Sequence, residues 1–169
     1  MKLRLKVDKN KVKAAVEVAK SFGTSYDGPP PPTGRYRTKL AGLTLDEDKD
    51  GNNQITARLV VNEPAKLGDK DNPSAKFNGF TFWYRVSLPT DPSDQYYNIQ
   101  VKALEELTRE VTGGYHGALD LFTIATTKGL DTETKTNRDG KTIVHIVKIG
   151  VADIEIGRPI EVLSLIHIS

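Results

Sequence analysis

The 169 residues contain no cysteine. That removes disulfides, thiolate zinc sites and cysteine nucleophiles together, and predicts an intracellular setting. No apolar run approaches the roughly 18 residues that span a membrane, and no apolar signal-peptide core opens the chain. A Gly-rich phosphate loop, a GxSxG elbow and an HExxH helix are all absent. The three histidines, His116, His145 and His167, lie far apart in sequence. These absences predict a protein that is not an enzyme and carries no metal or organic cofactor. Aromatic residues make up only 7% of the chain, with a single tryptophan, Trp83, so each ring carries more weight in the reading. Charged residues at 27% against 37% hydrophobic fit a soluble globular chain, and the length suits one domain.

The charge is uneven. Residues 1–39 hold ten Lys/Arg against three Asp/Glu, whereas the remainder is mildly acidic. Such a surplus predicts a basic N-terminal segment able to meet a polyanion. Within residues 1–24, "KVKAAVEVAKSF" offers a narrow stripe of Val12, Val16 and Ala19, which reads as an arm or a short helix, with residues 2–13 adding non-specific attraction. Residues 25–34, "SYDGPPPPTG", form a Pro-rich lead-in, because four prolines favour polyproline II and cannot enter a central strand.

Beyond it, "RYRTKLAGLTL" alternates: Tyr36, Thr38 and Leu40 point one way and Arg35, Arg37 and Lys39 the other, as in a strand with one buried face. "DEDKDGNN" interrupts the alternation and "QITARLVVNEP" resumes it, so the two strands read as a hairpin around an Asp-Gly turn. A third strand, "FTFWYRVSL", sets Phe80, Phe82, Tyr84 and Val86 against Thr81, Trp83 and Arg85. Asp91-Pro92 then predicts the start of a helix with the apolar stripe Tyr97, Val101, Leu104, Leu107 and Val111, closed by Gly113. "LFTIATT", "KTIVHIVKIG" and "RPIEVL" read as further strands. Three strands, a helix and more strands predict a mainly β fold with one substantial helix. The expected architecture is a partly open five-stranded antiparallel barrel over residues 35–162, like the oligonucleotide-binding (OB) fold. Residues 163–169, "LSLIHIS", match one reading frame of a sequencing-library adaptor. The expectation is that they are adaptor translation, that the natural sequence continues differently after Val162, and that the barrel is truncated; the alternative is an edge strand from Leu165 to Ile168.

Asp46, Asp48, Asp50 and Gly51 have the spacing of a calcium loop, but the twelfth position is Ala57 rather than a bidentate Glu, which favours a solvated hairpin turn. Glu105 and Glu106 fall opposite the helix stripe as solvated charges, and "VTGGYHGA" matches no nucleotide fingerprint. What is left is basic and aromatic. Single-strand binders pair cations that track phosphates with rings on which unstacked bases rest, each stacked base contributing roughly 1–3 kcal/mol. Arg35, Arg37, Lys39, Arg58, Arg85 and Arg158 are the candidate phosphate contacts, Trp83 the candidate stacking ring, and Phe77 and Tyr84 reserve platforms.

The succession "SYDGPPPPTGRYRTKLAGLTL", "DGNNQITARLVVNEP", "KFNGFTFWYRVSL", "VKALEEL" and "VKIGVADIEIGRPIEVL" resembles the single-stranded DNA-binding proteins of tailed bacteriophages, especially those of actinobacteria. The likeness runs from about Phe22 to Val162, on the Pro-rich lead-in, the Gly-x-Tyr strand start, the Glu-Pro closing the second strand and the "NGF" opening the third. It implies an OB-fold that binds single-stranded DNA without sequence preference in phage replication or recombination, in the cytoplasm of the infected bacterial host. Other replication or recombination proteins, and further copies of the chain, are additional candidate partners. It also implies that the prolines lead into the barrel, with Tyr26 as a packing anchor. The alternative is a phage structural or assembly β-domain that works through protein–protein contacts.

Overall fold

The computed structural model describes residues 2–7, 26–88, 91–114 and 129–166, with side chains from residue 26 to residue 164 within those spans. The expected class is what forms: the described residues are mainly β-strand beside one α-helix, in a sheet that does not close into a barrel. The strands are β1 (Lys2–Val7), β2 (Gly34–Glu47), β3 (Asn53–Val61), β4 (Lys66–Leu67), β5 (Lys70–Asp71), β6 (Thr81–Ser87), β7 (Leu130–Thr136), β8 (Thr142–Ile149), β9 (Ala152–Asp153) and β10 (Pro159–Ile166). A 3-10 helix (Pro73–Phe77) precedes β6, and α1 (Tyr97–Thr112) follows it.

The main sheet has eight strands, ordered β1-β10-β2-β3-β6, with β8 also on β2 and flanked by β7 and β9. That exceeds the expected five because the chain after α1 folds back as a hairpin and a short return strand. β2 is long enough to take two neighbours on one edge. β10 pairs antiparallel with its first part, Pro159 opposite Lys39 through Ser164 opposite Gly34, and His145 and Val144 of β8 face Thr44 and Leu45 further on. Residues 2–7, expected in a basic arm, instead form β1, parallel to β10. Residues 163–166, read as adaptor or edge strand, continue β10. The expected strand "LFTIATT" and the arm from residue 8 to residue 25 lie outside the described residues.

The chain divides into two compact units: Met1–Ala41, Arg58–Tyr84 and Gly157–Ser169 form the first, and Gly42–Ala57 with Arg85–Ile156 the second. The first is built on rings. Tyr36, Phe77, Phe80 and Phe82 are buried. Tyr26 packs edge-on against Phe77 and Phe80 with centroids 6.0 and 5.8 Å apart, so the proline segment is fastened to the core by the anchor the sequence suggested. The Tyr26 hydroxyl donates to the Pro29 carbonyl and that of Tyr36 to Pro32, the latter at 2.5 Å. A Cβ on Gly28 would stand 2.8 Å from the Tyr26 hydroxyl, so a larger residue there would have to displace the end of the tyrosine side chain.

In the second unit, α1 buries Leu104, Leu107 and Val111 of its predicted stripe, along with Thr108 and Thr112, whose hydroxyls donate back to the carbonyls of Leu104 and Thr108. The helix starts at Tyr97 and not at Asp91-Pro92. The Asp91 carboxylate accepts from the Ser93 N–H and hydroxyl, and Asp94 accepts from the Tyr96 N–H, so two successive aspartate turns occupy the groups that would have opened a first helical turn. Glu105 and Glu106 are half-buried, and Glu105 pairs with Arg109 at 2.6 Å.

Candidate nucleic-acid interface

From Gly34 to Leu40, β2 keeps its period of two. Tyr36, Thr38 and Leu40 are buried, while Arg35, Arg37 and Lys39 are exposed. Residues two apart on a strand lie roughly 6.8 Å apart, so the three cations form an evenly spaced row along one side of the strand. The neighbouring strand sets Leu163, Glu161 and Pro159 opposite them. The row is therefore not purely basic: Glu161 faces Arg37.

Beneath the row lies a group the sequence reading did not single out chemically. Glu63, in the Glu-Pro pair after β3, has a buried side chain, only 3% exposed. Its carboxylate accepts from the Arg37 backbone N–H at 2.6 Å, the Arg37 guanidinium at 3.0 Å and the Asn72 amide at 2.9 Å. Burial alone would push this carboxyl up. The hydrogen bonds from Arg37 and Asn72, with the Arg37 charge, outweigh it and hold the pKa below the usual carboxylate value. Asn78 completes the arrangement, accepting from the Glu63 N–H and donating to its carbonyl. Arg37 is thus oriented from below while 58% of its side chain stays exposed. An open cleft of about 240 Å³ adjoins the row, lined by Arg35, Arg37, Leu67, Ser74 and Glu161 among others.

Arg58 and Trp83 come together on the next two strands. Val61 donates its N–H to Phe80 and Leu88 donates to Asn53, so residue numbers across β3 and β6 sum alike at both ends of the ladder. Counted antiparallel between those bonds, Arg58 stands opposite Trp83, as close as cross-strand neighbours come. Both are half-buried. Burial lowers the Arg58 pKa, and its Nε is buried without a hydrogen-bond partner. Tyr84 and Arg158 are also half-buried; Arg85 is exposed and belongs to the second unit.

Phe77 is corrected. Proposed as a reserve stacking platform, it is 7% exposed and held edge-on by Tyr26 and Tyr36, with the Lys76 ammonium 5.1 Å from its ring centre. It is a core ring and offers no face to a base. The calcium-like loop forms the expected hairpin turn: Asp48 accepts from the N–H groups of Asp50 and Asn52 and from the Ser87 hydroxyl. Among the described residues, no group of three or more His, Cys, Asp or Glu could hold a metal ion. His145 is half-buried in β8, and His116 and His167 lie outside the described residues. No family model, curated protein or solved structure matches the chain.

Proposed function

We propose that the chain binds single-stranded DNA without sequence preference and without catalysis, in phage DNA replication or recombination. The observation that carries this reading is the exposed row of Arg35, Arg37 and Lys39 on β2. Its spacing suits successive contacts along an extended polyanion, and the central guanidinium is pre-oriented by Glu63, which lowers the ordering cost of a phosphate contact. Arg58 and Trp83, paired across β3 and β6, supply a further cation and a ring with part of its surface accessible, the two components a single-strand groove combines. The likeness of the sequence to phage single-strand binders supports the same reading.

Trp83 is the sole tryptophan, so its fluorescence reports directly. Titration with oligo(dT) should quench it, with affinity falling on a log–log salt plot by about 0.7 per phosphate contact. Equal affinity for duplex and single strand, or no association at low salt, would refute the proposal. A Trp83 signal indifferent to DNA would point instead to a protein-binding β-domain.

A further inference from the structure

We propose that β7 is a self-pairing edge, through which two copies of this chain join antiparallel about a two-fold axis at Thr134. The inference is independent of DNA binding. β7 and β8 form a hairpin closed by Asn137 and Lys141: the Asn137 N–H donates to the Lys141 carbonyl at 2.9 Å, its side chain accepts from the N–H groups of Asp139 and Lys141, and Gly140 takes φ 77°. The ladder then sets Lys135 opposite Ile143, Thr134 opposite Val144 and Glu133 opposite His145. Hydrogen-bonded pairs alternate along an antiparallel ladder. Counted from Asn137 and Lys141, Lys135 and Glu133 bond to β8, while the backbone groups of Thr132, Thr134 and Thr136 face away from it. Among the described residues no strand takes up that outer side, and every residue from Asp131 to Thr136 is exposed.

Edges left in this state are usually guarded by charge, proline or a bulge. Here the single irregularity, between Asp131 and Thr132, stops short of the segment, which contains no proline. The guard is Glu133 and Lys135, and these are opposite in sign and symmetric about Thr134. A two-fold axis at Thr134 puts Glu133 against the second copy's Lys135 and Lys135 against its Glu133, with Thr132 against Thr136 on both sides. The outward backbone groups of the three threonines then form the hydrogen-bonded pairs. Both charge pairs fall at the intervening positions, where opposed side chains approach closest. Sliding by two residues in either direction sets Glu133 or Lys135 against its own copy. The pattern therefore favours one register of one partner, a second copy of the same chain, and repels the nearest alternatives.

Sedimentation velocity of the full chain, from micromolar to about 1 mM without DNA, tests this; a dissociation constant at the weak end of that range still registers. The wild type should show reversible dimerisation. Lys135→Glu and Glu133→Lys should each raise the dissociation constant at least about tenfold, since each turns two attractive pairs into two repulsive ones. An equimolar mixture of the two variants should dimerise like the wild type, as should the double reversal. Thr134→Pro removes an outward N–H without touching the bonds to β8, so it should abolish the dimer and leave the circular dichroism unchanged. A wild type that stays monomeric to 1 mM, a dimer indifferent to charge reversal, or a mixture no stronger than its components would each overturn the inference.

Discussion

Replacing Glu63 by Gln changes little in volume and removes one buried charge, so its cost can be worked from the contacts. The carboxylate takes three donors: the Arg37 N–H, the Arg37 guanidinium and the Asn72 amide. A glutamine keeps one acceptor oxygen and turns an NH2 toward at least one of those donors. Losing one charge-assisted hydrogen bond costs about 1.5–3 kcal/mol, and a buried donor left unsatisfied about 1–3 kcal/mol. The two overlap, which leads us to expect about 2–4 kcal/mol by urea unfolding at pH 7, a large share of ordinary domain stability. The Coulombic part owed to Arg37 is small, because most of that side chain is in water. Arg37→Ala should therefore cost about 1 kcal/mol or less, well short of Glu63→Gln.

The dependence on pH separates this account from simple loss of packing. The folded-state pKa of Glu63 lies below its ordinary value. Its stabilisation is thus fully present above the unfolded pKa of about 4.3 and is lost as pH falls through the folded value. The gap in stability between wild type and Glu63→Gln should shrink steadily below about pH 4.3. A gap that stays the same from pH 7 down into the acid range, or no gap at pH 7, refutes the reasoning.

Three other outcomes are expected. Arg35→Ala and Lys39→Ala should each flatten the salt dependence of oligo(dT) binding by about 0.7 while leaving the urea midpoint near that of the wild type, as fluorescence titration and chemical unfolding would show. Tyr26→Ala removes two edge-on ring contacts, each contributing about 0.5–1.5 kcal/mol beyond buried area, whereas Tyr26→Phe should stay within about 1 kcal/mol of the wild type in thermal unfolding. Leu104, fully buried in α1, should cost about 2–5 kcal/mol on truncation to Ala.

Local periodicity made part of this fold legible. The first half of β2 obeys it, and the row of Arg35, Arg37 and Lys39 follows directly. From Leu40 to Thr44 every residue is buried, so the alternation disappears where both faces of the strand are covered. Burial of Phe77 is not legible in the sequence, because the ring lies in a short 3-10 turn where no period marks a buried face. The late start of α1 reflects competition between aspartate side chains and the helix for the same N–H groups, which a capping rule applied to Asp91 alone does not weigh. The Glu63–Arg37 pair was out of reach because its members lie 26 residues apart and meet only when β2 and β3 pair. The Glu-Pro pair is visible in the sequence; its chemistry depends on the fold. The second hairpin's "NRDGK" repeats the device of "DKDGN", a side-chain acceptor followed three residues on by a glycine, with φ of 77° and 82°. Its turn was legible in principle.

The row raises a question that the sequence could not pose: why a surface proposed for a polyanion keeps two carboxylates among three cations. Glu63 has a structural answer, being buried and holding Arg37. Glu161, on β10 opposite Arg37, is exposed and so stands beside the path that the row marks out. If a strand runs along the row, the Glu161 carboxylate must repel it. At about 5 Å in a water-like dielectric, one charge against one phosphate amounts to about 0.8 kcal/mol, or about fourfold in affinity, and less as salt rises. Glu161→Gln should therefore tighten oligo(dT) binding about fourfold at low salt, with the gain fading toward 0.15 M, and should move stability by no more than about 0.5 kcal/mol. This variant complements the loss-of-cation variants, because it predicts a gain in affinity, which damage to the fold would not produce. Unchanged affinity at low salt would mean that the DNA passes elsewhere, and that Arg35, Arg37 and Lys39 serve the sheet and its solubility alone.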